Sequence, residues 1–124
     1  RGVYAKTKRN QLNPFLTTFN LPIPTSTVSQ RDSTNVPAQA LSMMNGEFVQ
    51  NAAKDWARKV RSKNKNDSVK DEIESLYMDA YARAPTKAEE DRLANYYKSI
   101  ENPDTALERI AFVLLNSKEF IYVY

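Results

Sequence analysis

The chain contains neither cysteine nor histidine. The first absence removes disulfides, thiolate nucleophiles and sulfur metal ligands, and the second removes imidazole acid/base chemistry and the commonest zinc ligand. Haem attachment through C-x-x-C-H goes with them. A chain without cysteine fits either redox compartment. No apolar run approaches the ~20 residues that a membrane span needs. The chain opens on Arg1, with neither the basic n-region nor the apolar h-region of a signal peptide, so it reads as a piece of a longer protein. No internal repeat and no low-complexity tract is visible.

What is present describes a folded object. Its 124 residues suit one domain able to withdraw roughly two thirds of its surface from water. Hydrophobic residues make up 41% and aromatics 10%, above what a disordered segment carries. Lys and Arg number 18 against 15 acids, a net charge of +3, and acids interleave with bases almost throughout. A nucleic-acid-binding face gathers its cations together, so this pattern argues against that partner.

Residues 13 to 27, NPFLTTFNLPIPTST, hold Pro14, Pro22 and Pro24, which fix φ and remove donors. With Phe15, Leu16, Phe19, Leu21 and Ile23 alongside, the stretch reads as a non-helical strap lying on a helical body, with a short strand near Phe15 to Phe19 as an option. Beyond Pro37 the positions Leu41, Met44, Phe48, Ala52, Trp56 and Val60 fall at helical spacing as one core-facing stripe, which Asn45-Gly46 is expected to bend or break. RSKNKND, residues 61 to 67, reads as a loop. Ser68 with Asp71 forms a near capping box for a helix carrying Val69, Ile73, Leu76, Tyr77 and Ala80 and ending near Arg83. Thr86 with Glu89 is a regular capping box for the next, whose inner face is Leu93, Tyr96, Tyr97 and Ile100. Asp104 is the expected cap of a helix bearing Leu107, Ile110, Ala111 and Leu114, and Ser117 that of a last turn with Phe120. The expected fold is all-α: one domain, 1–124, with an extended proline-rich strap over 1–36 and a compact bundle of four or five helices over 37–124.

Chemistry concentrates in QRDSTNVPAQAL. Val36 offers no capping side chain before Pro37, so the first amides of the helix need Thr34 or Asn35, a water or an external group. In the structural reading Thr34 and Asn35 cap the helix while Arg31 pairs with Asp32 or Glu119. In the functional one Arg31, Thr34, Asn35 and Gln39 bind an anion, such as a sulfated or acidic glycan or a partner carboxylate, at the helix N-terminus. The first is preferred, because backbone amides are normally satisfied internally. Trp56, Tyr77, Tyr81, Tyr96 and Tyr97 could stack on sugar, yet their spacing is that of core packing. The basic run at 57–65 reads as a solvated helix end. Glu89 and Glu90 point apart and cannot flank a glycosidic bond. No residue type or spacing proposes a metal or cofactor site.

Three blocks, RDSTNVPAQALSMMN, YARAPTKAEE and LLNSKEFIYV, in this order and spacing, resemble the C-terminal domain of unknown function of large planctomycete-type surface proteins, in which a cytochrome-c-like domain often lies upstream. The likeness covers nearly the whole chain. Its recurrent polar positions are matched by Arg9, Arg31, Thr34, Asn35, Gln39, Asn45, Arg83, Asn116 and Glu119. Three positions depart: Asn20 stands where Asp is usual, Ala38 where Leu is common, and Ala82 where Gly is common. The resemblance implies a setting rather than a reaction. That setting is a multidomain bacterial protein that is periplasmic or on the cell surface, with its own upstream domains and a polysaccharide as candidate partners. No catalytic residue is carried over and no bound haem is implied. The expected role is a non-catalytic structural or interaction module. The alternatives are the anion site at Arg31 and Asn35, or part of an active site completed by upstream domains.

Overall fold

Helix starts along this chain are written in short polar side chains, and the computed structural model, which describes residues 11–21, 27, 37–64 and 68–122, uses nearly all of them. Seven helices form among the described residues, 77% of which are helical, with no strand. They are α1 (Pro14–Thr18), α2 (Pro37–Asn45), α3 (Glu47–Lys63), α4 (Val69–Tyr81), α5 (Lys87–Lys98), α6 (Pro103–Leu115) and α7 (Lys118–Ile121). The all-α expectation holds, with five longer helices and a single turn at each end of the series. Two compact units divide the chain, Arg1–Gly46 and Glu47–Tyr124.

In the first unit the expected non-helical strap contains a helix. Asn13 Oδ1 accepts from the amides of Phe15 at 2.9 Å and Leu16 at 3.4 Å, and Pro14 occupies the first helical position, where a missing N–H costs nothing. Proline here starts a turn rather than preventing one. The turn ends in a Schellman motif: Leu21 N–H reaches Leu16 O at 3.0 Å and Asn20 N–H reaches Thr17 O at 3.1 Å, with Asn20 left-handed at φ 57°. Asn tolerates that conformation through its short polar side chain, as Asp would. Position 20 thus serves backbone geometry. Phe15 and Phe19 pack at 5.0 Å between ring centroids, and α1 rests on α2.

The second unit is a four-helix body, α3 to α6, closed by α7. Its core is Ala53, Ala57, Val60, Ile73, Leu76, Tyr77, Leu107, Ile110, Ala111 and Leu114, flanked by partly buried Trp56, Leu93 and Tyr97. The α6 expectation is met residue for residue, whereas the stripe proposed for 41 to 60 is corrected. Gly46 separates α2 from α3, so one period cannot run through both, and Leu41, Met44 and Phe48 remain exposed. The break at Asn45-Gly46 is the expected one, and Val60 with partly buried Trp56 faces the core as expected, but the rest of the buried face of α3 is Val49, Ala53 and Ala57. Alanines on α3 and at Ala106 and Ala111 of α6 let those two helices approach closely. Helix α3 also runs through Arg61 to Lys63, where a loop was expected.

Caps explain the remaining boundaries. The Asp71 carboxylate accepts from Ser68 N–H and Ser68 Oγ–H, both at 2.8 Å. Thr86 and Glu89 form the full box, Glu89 accepting from Thr86 N–H at 2.7 Å and Thr86 Oγ1 accepting from Glu89 N–H at 3.4 Å. The cap of α6 is Asn102, not Asp104: its Oδ1 accepts from the amides of Asp104 at 2.9 Å and Thr105 at 3.2 Å, with Pro103 next in the helix. Ser117 Oγ caps α7 through Phe120 N–H at 3.1 Å.

Candidate functional site

Of the residues proposed for an anion site, Gln39 is described and Arg31, Thr34 and Asn35 lie outside the described residues. Gln39 sits in the first turn of α2, and its Nε2 donates to the carbonyl of Thr18 at 3.1 Å. That bond ties the end of α1 to the start of α2 within the first unit. Glu119, one of the partners considered for Arg31, is engaged by Arg83.

The charged chemistry of the second unit gathers at two arginines. Arg61, on the last turn of α3, reaches Glu72 on α4 with Nε at 3.1 Å and Nη2 at 3.3 Å, Tyr97 Oη on α5 at 2.6 Å, the Pro103 carbonyl at 3.3 Å, and Asp104 on α6. One guanidinium thereby joins all four helices of the body. Glu72 is the buried charged residue of the described chain, at 6% exposure, and Arg61 neutralises it. Burial works against the charge on Arg61, but the bonds and charge of Glu72, with Tyr97 and Asp104, hold it firmly protonated. Burial also raises Tyr97, as does the Glu72 charge.

Arg83 lies just past the end of α4, after Ala82 in left-handed geometry at φ 56°. Its Nε and Nη2 grip the two oxygens of Glu119 at 2.7 and 2.8 Å, its Nη1 and Nη2 grip those of Glu89 at 3.1 and 3.0 Å, and Nη1 also reaches the Ala84 carbonyl at 3.1 Å. An arginine carries five N–H donors, and these bonds engage the whole fork. The guanidinium also lies 5.3 Å from the Tyr77 ring centroid and 5.5 Å from that of Tyr81. Arg83, and the amide and hydroxyl of Thr86, bring the Glu89 carboxyl down to about 2, and Arg83 lowers Glu119 as well. Burial raises both tyrosines. The blocks YARAPTKAEE and LLNSKEFIYV meet in this cluster.

All five donors of Arg83 are engaged, and Arg61 turns its fork inward to Glu72, Tyr97, the Pro103 carbonyl and Asp104 of the same unit. Glu89 faces Arg83 while Glu90 turns to Lys70 at 2.5 Å, so the neighbouring carboxylates diverge as their spacing required. Trp56 donates through Nε1 to Asp79 at 3.1 Å, and Tyr77, Tyr81 and Tyr97 join the core or its edge, whereas Tyr96, expected on the inner face of α5, is exposed. An open depression of about 430 Å³ beside the end of α3 is lined by groups of both signs, among them Lys63, Asn64, Glu74 and Asp79. Among the described residues no cluster of three acidic side chains is placed to hold a metal, and no buried side-chain polar atom lacks a partner.

Sequence reasoning placed Arg83 and Glu119 among recurrent positions without joining them, and missed Glu72 and the hub at Arg61. The signal for Glu72 was available: it falls three residues after Val69 and four before Leu76, inside the apolar stripe of α4.

The family model for PSD1, a protein of unknown function (DUF1553), matches residues 1–97. The chain belongs to the PSD1 (DUF1553) family. No curated protein and no solved structure matches it. The matched span ends within α5, yet the folded unit continues, since Leu107, Ile110 and Leu114 of α6 belong to the same core as Ile73 and Leu76 of α4.

Proposed function

We propose that this PSD1 (DUF1553) chain is a non-catalytic structural or interaction module of a large bacterial protein carried outside the cytoplasm, in the periplasm or on the surface. The observation that carries this reading is the inward closure of its two arginine clusters. Arg61 and Arg83 direct their donors to Glu72, Asp104, Glu89 and Glu119 of the same unit, which fixes helices rather than holding a substrate. The planctomycete-type setting, with a cytochrome-c-like domain upstream, rests on the resemblance of the three sequence blocks. The alternative, an anion held by Arg31, Thr34, Asn35 and Gln39, is disfavoured because the Gln39 amide is turned to the Thr18 carbonyl. The test compares the full-length protein with a version lacking these residues. A module role expects the remaining domains to lose thermal stability or correct export while their own chemistry persists. Loss of a catalytic step with stability and export intact would overturn it.

A further inference from the structure

Helix α7 is attached to the second unit in an unusual manner. A four-residue helix cannot sustain itself in water, and no residue of α7 is buried; Phe120, Ile121 and Tyr122 each keep about 40% of their surface exposed. Its polar anchors are Glu119, in the fork of Arg83, and Ser117 Oγ, 2.8 Å from the Tyr81 hydroxyl. Each group on the body side has a second partner that stays in place if α7 leaves. Arg83 retains both oxygens of Glu89, the Ala84 carbonyl and its position beside two tyrosine rings. Tyr81 retains the Leu114 carbonyl at 3.3 Å. The departing Glu119 carboxylate is half-exposed already and returns to water. The heavy penalty of a stranded buried charge, which would lock such a contact, therefore does not arise.

We propose that α7 is a detachable latch, held by the Arg83–Glu119 fork and able to swing free at the Asn116–Ser117 joint while α3 to α6 remain folded. Release would free one edge of a guanidinium that already lies beside two tyrosine rings, together with the apolar side chains of Phe120 and Ile121. Hydrogen exchange of the full chain at neutral pH tests this. In Glu119→Gln, which loses the charge but keeps the shape, the amides of Phe120, Ile121 and Tyr122 should exchange about tenfold faster or more, while those of Ile110 to Leu114 keep their protection. Three results would overturn the proposal. Unchanged exchange in the α7 amides would mean that the fork does not hold the helix. Faster exchange spreading into α6 and α4 would mean that α7 is integral to the core. Phe120→Ala serves as the comparison, and if it frees α7 more than Glu119→Gln does, apolar contact is the anchor and the fork is not.

Discussion

Arg61→Met should be among the most damaging single changes in the second unit, and the reason lies in Glu72 rather than in the arginine itself. The Glu72 side chain keeps 8% of its surface exposed, and both its oxygens accept from Arg61. Methionine fills much of the space but leaves that carboxylate charged and unaccompanied, a loss of about 3–5 kcal/mol when a buried pair is broken from one side. Arg61 retains 28% exposure, so water can reach the mouth of the site, and the lower end, about 3 kcal/mol, is the expectation. Tyr97 Oη and the Pro103 carbonyl lose a donor too, but each lies nearer to solvent. Urea unfolding followed by circular dichroism measures the cost, with an unchanged slope showing that the same surface unfolds. In the double variant Arg61→Met with Glu72→Met no charge is buried, and most of the loss should return. A single variant within 1 kcal/mol of the parent, or a double variant as unstable as the two single losses added together, would refute the reasoning.

Ala82→Gly should stabilise the chain by about 0.5–1 kcal/mol: relief of a left-handed alanine is worth ~1–2 kcal/mol, offset by the ~0.4–1 kcal/mol of freedom that glycine adds to the unfolded state. A thermal melt checks it, and no gain would mean that φ 56° carries no strain here. Asn102→Ala removes the acceptor for two first-turn amides of α6 and should cost about 0.5–2 kcal/mol in the same assay, whereas Asp104→Ala, if only the cap mattered, would cost nothing. The carboxyls of Glu89, brought down to about 2, and Glu119 are both lowered by Arg83, with Tyr77 and Tyr81 as the other groups facing it. Because folded values lie below unfolded ones, this stabilisation is complete above the unfolded carboxylate range near ~4.3 and is lost as pH falls through the folded values. Carboxylate chemical shifts should show Glu89 ionised well below pH 4, and an ordinary titration would contradict the clamp.

The parts of the fold legible in sequence were those with a local cause. Thr86 and Glu89, Ser68 and Asp71, and Ser117 lie within one turn of the amides they satisfy, and the Leu107, Ile110, Ala111 and Leu114 spacing belongs to one uninterrupted helix. Errors arose where two local rules compete. Pro14 both excludes a helix interior and favours a helix start, and the Asn13 side chain decides between them. Asn102 and Asp104 can each cap, and Pro103 settles the choice by taking the first helical position. On α3 the large apolar residues suggested one face while the alanines form the other, because what that face needs against α6 is closeness rather than bulk.

The polar clusters were harder to read for a physical reason. Arg61 and Glu72 are eleven residues apart and Arg83 and Glu119 thirty-six, so no helical spacing joins them; only the packing of α3 on α4 and of α7 on α4 does. Composition shows an excess of charge that nearly cancels, and the structure shows where part of that cancellation happens. Each arginine stands at a helix end and takes carboxylates from helices that follow it in the chain. At Arg61 one of those carboxylates is buried, so the pair is difficult to open from either side; at Arg83 both remain within reach of water, and one is carried by a helix with no buried residue. The same residue pair, Arg with Glu, therefore fixes the body in one place and leaves it releasable in the other, with burial making the difference.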